Sequence, residues 1–137
     1  MAETLTFAKV HRYDMKESGI TVRVRLRLGA IVDEFIAKVD TGASHCIFER
    51  THGEVLGLDI ERGVLQEFGT ATGRFLAYGH DVTLSVLGIE TTTTVYFAAD
   101  KGFTRNVLGR QGWLNVVRLG LVDYEGKLYL SHYDDQA

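Results

Sequence analysis

Between residues 20 and 28 every second position is a large aliphatic: Ile20, Val22, Val24, Leu26 and Leu28 alternate with Thr21, Arg23, Arg25 and Arg27. Successive side chains of an extended strand point to opposite faces, so this spacing describes a strand buried on one side and wet on the other. A helix at 3.6 residues per turn would scatter the same aliphatics around its whole circumference. A half-buried strand must be paired and covered, which commits the chain to a sheet with one apolar face. The three arginines on the wet side could form a phosphate-binding stripe, but with a formal net charge of -3 a solvated sheet face is the stronger reading. The same acidic balance argues against a general nucleic-acid binder, which would be basic.

The remaining chain supplies partners for that strand. Residues 5–10 are expected to form an outer strand, followed by a polar turn to Gly19. After a turn over residues 29–34, residues 35–39 return antiparallel and end on Asp40. Residues 45–48 form a short strand, and residues 49–56 one or two helical turns before Gly57. Residues 64–68 and 74–78, joined by the Gly-bounded tip 69–73, predict a long hairpin with a mobile tip. Residues 82–86 and 91–98 form a further pair, with Thr91, Thr93, Val95 and Phe97 on one face; the threonine run needs only β-propensity to account for it. Residues 106–110 give a short strand, residues 111–117 a possible helix, and residues 118–131 a terminal hairpin turning at Glu125-Gly126. No proline, linker, repeat or low-complexity tract interrupts the pattern. The expectation is therefore a mainly β chain with one or two short helices.

A length of 137 residues with 45% hydrophobic content fits a single domain over residues 1–137 that closes a core without disulfide or metal. Cys46 stands alone, so neither an internal disulfide nor a thiolate zinc site can form, and a reducing, cytoplasmic location is expected. No run approaches the ~18 apolar residues of a membrane span, and the first residues lack the pattern of an export signal. A soluble protein with no membrane partner is expected. His11, His45, His52, His80 and His132 lack metal-ligand spacing, so no metal or other cofactor is expected. Adjacent residues on a strand face opposite ways, so His45 and Cys46 do not read as a nucleophile pair, and Cys46 reads as a small buried apolar residue. Trp113 reads as core or interface, and His80-Asp81 as an unassigned polar pair.

The chemistry concentrates in Val39-Asp40-Thr41-Gly42-Ala43-Ser44, where a lone carboxylate leaves an apolar strand and enters a tight polar turn. Backbone N–H groups of such a turn can orient the carboxylate oxygens, and Gly42 permits a close approach. Taken alone, Asp-Thr-Gly after a strand is a common polar turn. Two such carboxylates facing each other would share a proton: one could act as general base on a water while the other donates to a substrate carbonyl.

This hexapeptide resembles the active-site motif of the retropepsin-like aspartic proteases, the family of the retroviral proteases and their single-domain bacterial relatives. The order of parts carries the resemblance further: an alternating strand pair before the motif, a Gly-containing hairpin after it, and Val107-Leu108-Gly109-Arg110 near the end, similar to the family's apolar-apolar-Gly-Arg loop behind the active-site turn. The similarity extends over residues 20–131. It implies a closed acid-protease β-barrel acting as a homodimeric aspartic endopeptidase on extended peptide or protein substrates. Asp40 would be the catalytic carboxylate, Thr41 would bond across the dyad, and Gly42 and Ala43 would complete the turn. Phe68, Gly69, Thr70, Ala71, Thr72 and Gly73, continuing toward Phe75, would form a flap over the substrate. Leu108, Gly109 and Arg110 would form the supporting loop.

Only one Asp-Thr-Gly occurs, so the second carboxylate must come from a second copy on a two-fold axis. The terminal hairpin, with Leu119, Leu121, Tyr124, Leu128, Tyr129 and Leu130, is a candidate for part of that interface, and ordinary sheet is its other reading. Two departures from the family pattern matter. Ser44 and His45 stand where retroviral members often carry acids, leaving Arg110 to find another partner, for which Glu49 is the candidate. Ala43 supplies no hydroxyl where pepsin-like enzymes often have Ser, so a less acidic optimum than theirs is expected. The rival readings are a non-catalytic dimeric peptide-binding or scaffolding domain of the same fold, and a monomer using the arginine stripe.

Overall fold

The computed structural model describes residues 1–135. Its strands are β1 (Lys9–Arg12), β2 (Thr21–Leu28), β3 (Ile31–Val39), β4 (Ile47–Phe48), β5 (Val64–Thr70), β6 (Gly73–Val86), β7 (Ile89–Ala98), β8 (Val107–Leu108), β9 (Val117–Val122) and β10 (Lys127–His132). One short helix, α1 (Arg50–Val55), follows β4, and single 3-10 turns occupy Ile60–Arg62, Leu114–Val116 and Asp123–Glu125. The mainly β class expected from the sequence is thus observed.

The larger sheet runs β2-β3-β8-β4-β7-β6-β5, and β2 also pairs with β6. That second pairing joins the two ends of the run β2 to β6 and closes a barrel, leaving β5 as an outer strand on β6. The alternation of β2 explains the closure: Val22, Val24 and Leu26 are at most 1% exposed, while Arg23, Arg25 and Arg27 point outward. Those arginines are met by Glu34, 3.0 Å from Arg25 and 3.8 Å from Arg23, and by Glu90, 3.6 Å from Arg27. Pairing of this kind is what a solvated sheet face carries.

A second sheet, β1-β10-β9, packs on the barrel, and Leu128 and Leu130 of β10 enter the same core as Val24, Phe48, Phe97 and Trp113. Burying each such side chain is worth ~1.5–3 kcal/mol, so this core is the main source of stability. Tyr13 fastens the N-terminal segment to the terminal hairpin by donating to Asp123, a bond that pushes the phenol up to about 12.

Several boundaries depart from the sequence reading. The outer strand occupies Lys9–Arg12 rather than residues 5–10, because Phe7 packs on Tyr129 at 5.7 Å and the Ala8 N–H donates to the Ser131 hydroxyl instead of a ladder carbonyl. Strand β3 begins at Ile31, so the turn shrinks to Gly29-Ala30, with Gly29 at φ +60°. The two segments 74–78 and 82–86 are one strand, β6, whose pairing with β7 runs on unbroken through Gly79, His80 and Asp81. Gly79 is there for space: a Cβ would lie 2.9 Å from the Tyr96 ring. The possible helix at 111–117 reduces to the 3-10 turn Leu114–Val116.

Candidate active site

Asp40 lies just past the end of β3, where the chain leaves the barrel. Strand β8 holds this point from beside it: Lys38 and Val39 pair in parallel with Val107 and Leu108, and the Asp40 N–H donates to the Leu108 carbonyl at 3.0 Å. The turn then closes on itself. The Ala43 N–H donates to the Asp40 carbonyl at 3.1 Å, and the Gly42 N–H donates to Asp40 Oδ1 at 2.9 Å. The carboxylate is therefore oriented by backbone, as the Asp-Thr-Gly reading requires.

The loop after β8 braces the turn from behind. The Arg110 N–H donates to the Ala43 carbonyl and the Gln111 N–H to the Ser44 carbonyl, each at 2.9 Å. Leu108 and Gly109 are buried, whereas Arg110 is exposed. The expected Arg110–Glu49 pair does not form. Glu49 is instead taken by Asn106, whose amide donates to Glu49 Oε1 at 2.8 Å while its carbonyl oxygen accepts from the Glu49 N–H at 2.9 Å. This reciprocal pair satisfies the acid locally, and the Arg110 guanidinium has no ion pair among the described residues.

A groove of about 300 Å³ opens over the turn. Asp40, Gly42, Ala43 and Ser44 form its floor, and Phe68, Gly69 and Thr70 of β5 with Phe75 of β6 form its roof. The hairpin tip is tight: Thr70 pairs with Gly73, leaving Ala71-Thr72 as the turn, and the Thr70 hydroxyl donates to the Gly73 carbonyl at 2.9 Å. Ala71, Thr72 and Gly73 lie beyond the groove lining, as does Thr41. Sequence reasoning thus named the floor and the roof.

It missed the side wall, made by Ile47, Phe103, Arg105 and Val107. Phe68 and Phe75 stack at 5.5 Å, Phe75 meets Phe103 at 4.7 Å, and the Arg105 guanidinium lies over the Phe103 ring at 5.6 Å. The available signal was position: Phe103 and Arg105 immediately precede the supporting loop. Behind the roof, His45 contacts Phe68 and Tyr96 edge-on at 5.4 and 5.2 Å. Burial pulls the His45 imidazole below its ordinary value, opposed in part by a bond to Gln111. Burial likewise pushes the Cys46 thiol up to about 12, which leaves it an inert apolar filler. Among the described residues no three His, Cys, Asp or Glu side chains gather as metal ligands, and no helix is long and apolar enough to cross a membrane.

No family model matches the sequence, and no curated protein matches it. Among solved structures, the chain is similar to EIAV protease complexed with the inhibitor HBY-793, at 21% identity and a TM-score of 0.53, over 69% of this chain and 84% of that one. The fold is retropepsin-like.

Proposed function

We propose that the chain is a retropepsin-type aspartic endopeptidase that works as a homodimer, with one Asp40 from each copy. The observation that carries this reading is the placement of a backbone-oriented Asp40 carboxylate on the floor of a groove roofed by the β5–β6 hairpin. One ionised Asp40 would accept a proton from a water as that water attacks the scissile carbonyl carbon. The protonated partner would donate to the carbonyl oxygen, giving a tetrahedral diol. Collapse of the diol breaks the C–N bond as the newly protonated Asp40 gives its proton to the leaving nitrogen and the other Asp40 takes one back from a diol hydroxyl. In this scheme Thr41 bonds across the dyad, and Gly42 admits the substrate backbone. The hairpin from Phe68 to Gly73 acts as the flap, excluding water and gripping an extended peptide through its backbone. Leu108, Gly109 and Arg110 keep the turn in place, and residues 1–137 act as one domain.

The second copy has a surface to bind. Among the described residues, strand β9 is the edge of its sheet, with Leu121 and Val122 exposed on it and Tyr124 exposed just beyond. An unpaired apolar edge is a template for another strand, and a two-fold axis would let β9 of each copy serve the other. A lone cysteine fits a cytoplasmic location.

Sedimentation tests the dimer, and hydrolysis of a peptide library by wild type and Asp40→Asn tests the chemistry. Cleavage by wild type alone is expected. Equal cleavage by the two proteins would sink the protease reading. Peptide binding without turnover in the wild type would favour a scaffolding domain of the same fold.

A further inference from the structure

We propose that Arg105 selects substrates bearing a carboxylate side chain next to the apolar residue seated in the Asp40 groove, an inference that rests on the endopeptidase reading above. The groove is lined by two charged residues, Asp40 on the floor and Arg105 on the side wall, and the rest of its lining is apolar or neutral. Asp40 repels an acidic side chain over the turn, so a substrate acid is directed to the Arg105 end. Arg105 is free to receive it. Its side chain is exposed, its guanidinium lies over the Phe103 ring at 5.6 Å, and it has no ion pair with any described residue. Asp14 and Glu17 border an adjoining depression that Arg105 also lines, yet neither pairs with it. The other nearby cation, Lys38, donates its Nζ to the Ser18 hydroxyl at 3.0 Å.

A cation–π contact with an aromatic face restrains a guanidinium while leaving its fork of N–H donors open to a carboxylate, a fork lysine lacks. Alternate residues of an extended peptide lie roughly 6.6 Å apart on one face. An apolar side chain against Phe75 and Ile47 shares the groove with Arg105, so neighbouring side chains of the same extended peptide pass along the wall that Arg105 lines. The favoured substrate pairs an apolar residue with Asp or Glu close beside it in sequence.

The test uses fluorescent peptides with a central Phe-Phe, in which each of the three positions on either side carries Glu or its isostere Gln, one at a time. Binding to Asp40→Asn protein reads recognition without turnover, and cleavage by wild type reads the chemistry separately. At one or two positions Glu is expected to bind about tenfold tighter than Gln, the size of a charge-assisted pair. Arg105→Gln should erase the preference, and Arg105→Glu should reverse it in favour of Lys at the same position. Equal binding of Glu and Gln peptides at every position, no binding of any peptide, or a preference that survives Arg105→Gln overturns the inference. A Glu preference in binding without wild-type cleavage would refute the endopeptidase reading alone. Cleavage without a Glu preference would refute the Arg105 role alone.

Discussion

Gly109 lies directly against the backbone of His45: a Cβ at position 109 would fall 2.2 Å from the His45 carbonyl oxygen and 2.8 Å from that of Ala43. Both atoms are backbone of the segment that leaves the Asp40 turn, so neither can swing aside like a side chain. Gly109→Ala must displace the brace, the turn, or both. A loss of about 1–3 kcal/mol in chemical denaturation is expected, the usual cost of overpacking. Turnover should fall more than stability alone accounts for, because the carboxylate is oriented by this backbone. A variant with unchanged kcat/KM and unchanged stability would contradict the proposed role of the loop.

Ala43 faces the same groove as Asp40 and brings no hydroxyl to it. Ala43→Ser would add a donor on the floor, and a hydrogen bond to the ionised form favours that form. The acid limb of the kcat/KM profile should therefore move to lower pH, with the basic limb less affected. A limb that stays in place, in a variant that still cleaves, would show that the added hydroxyl does not reach the Asp40 carboxylate.

Arg50 ties the start of α1 to the 3-10 turn Ile60–Arg62 through a bidentate pair with Glu61, both contacts at 2.6 Å, and also donates to the Ala99 carbonyl at 3.0 Å. The pair holds the Glu61 carboxyl below its ordinary range, chiefly through the hydrogen bond from Arg50. A carboxyl depressed on folding stabilises above its unfolded value, near 4.3, and loses that contribution as pH falls through the folded one. Glu61→Gln should lower Tm at pH 7, and the gap to wild type should close as the pH drops below about 4. Half of the Glu61 side chain is exposed, so high salt should shrink the gap as well. A gap constant from pH 7 to pH 3 would assign the loss to packing.

The legible parts of this molecule are those with a local signature. Strand β2 announced itself because one of its faces is buried and the other wet, and the Asp40 turn because its residue types fit only a few backbone geometries. Strand β3 was read too short since Ile31 and Val32 are apolar yet exposed, which breaks the link between hydropathy and face. Strand β6 was split at Gly79, a residue that in sequence signals a break and in space makes room for Tyr96. The side wall was invisible because Phe103 and Arg105 sit in a loop without periodicity, and Phe75, the ring partner of Phe103, is 28 residues away from it in the chain. Glu49 was assigned to Arg110 by charge alone, whereas Asn106 satisfies both its backbone and its side chain.

Strand β9 carries Leu121 with 41% exposure on the edge of the β1-β10-β9 sheet. If that edge receives the second copy, a charge placed there blocks strand addition while leaving the protomer core in place, because Leu121 is not part of the core cluster to which β9 contributes Val117 and Leu119. Leu121→Lys should keep the far-UV circular dichroism of the wild type and sediment as a monomer. It should also lose hydrolysis at low protein concentration, since each protomer brings a single Asp40. Raising the concentration should restore part of the activity with a second-order dependence, which separates a weakened dimer from a damaged site. A monomeric Leu121→Lys protein with wild-type turnover would mean that one Asp40 suffices, and the dimeric mechanism would have to be abandoned.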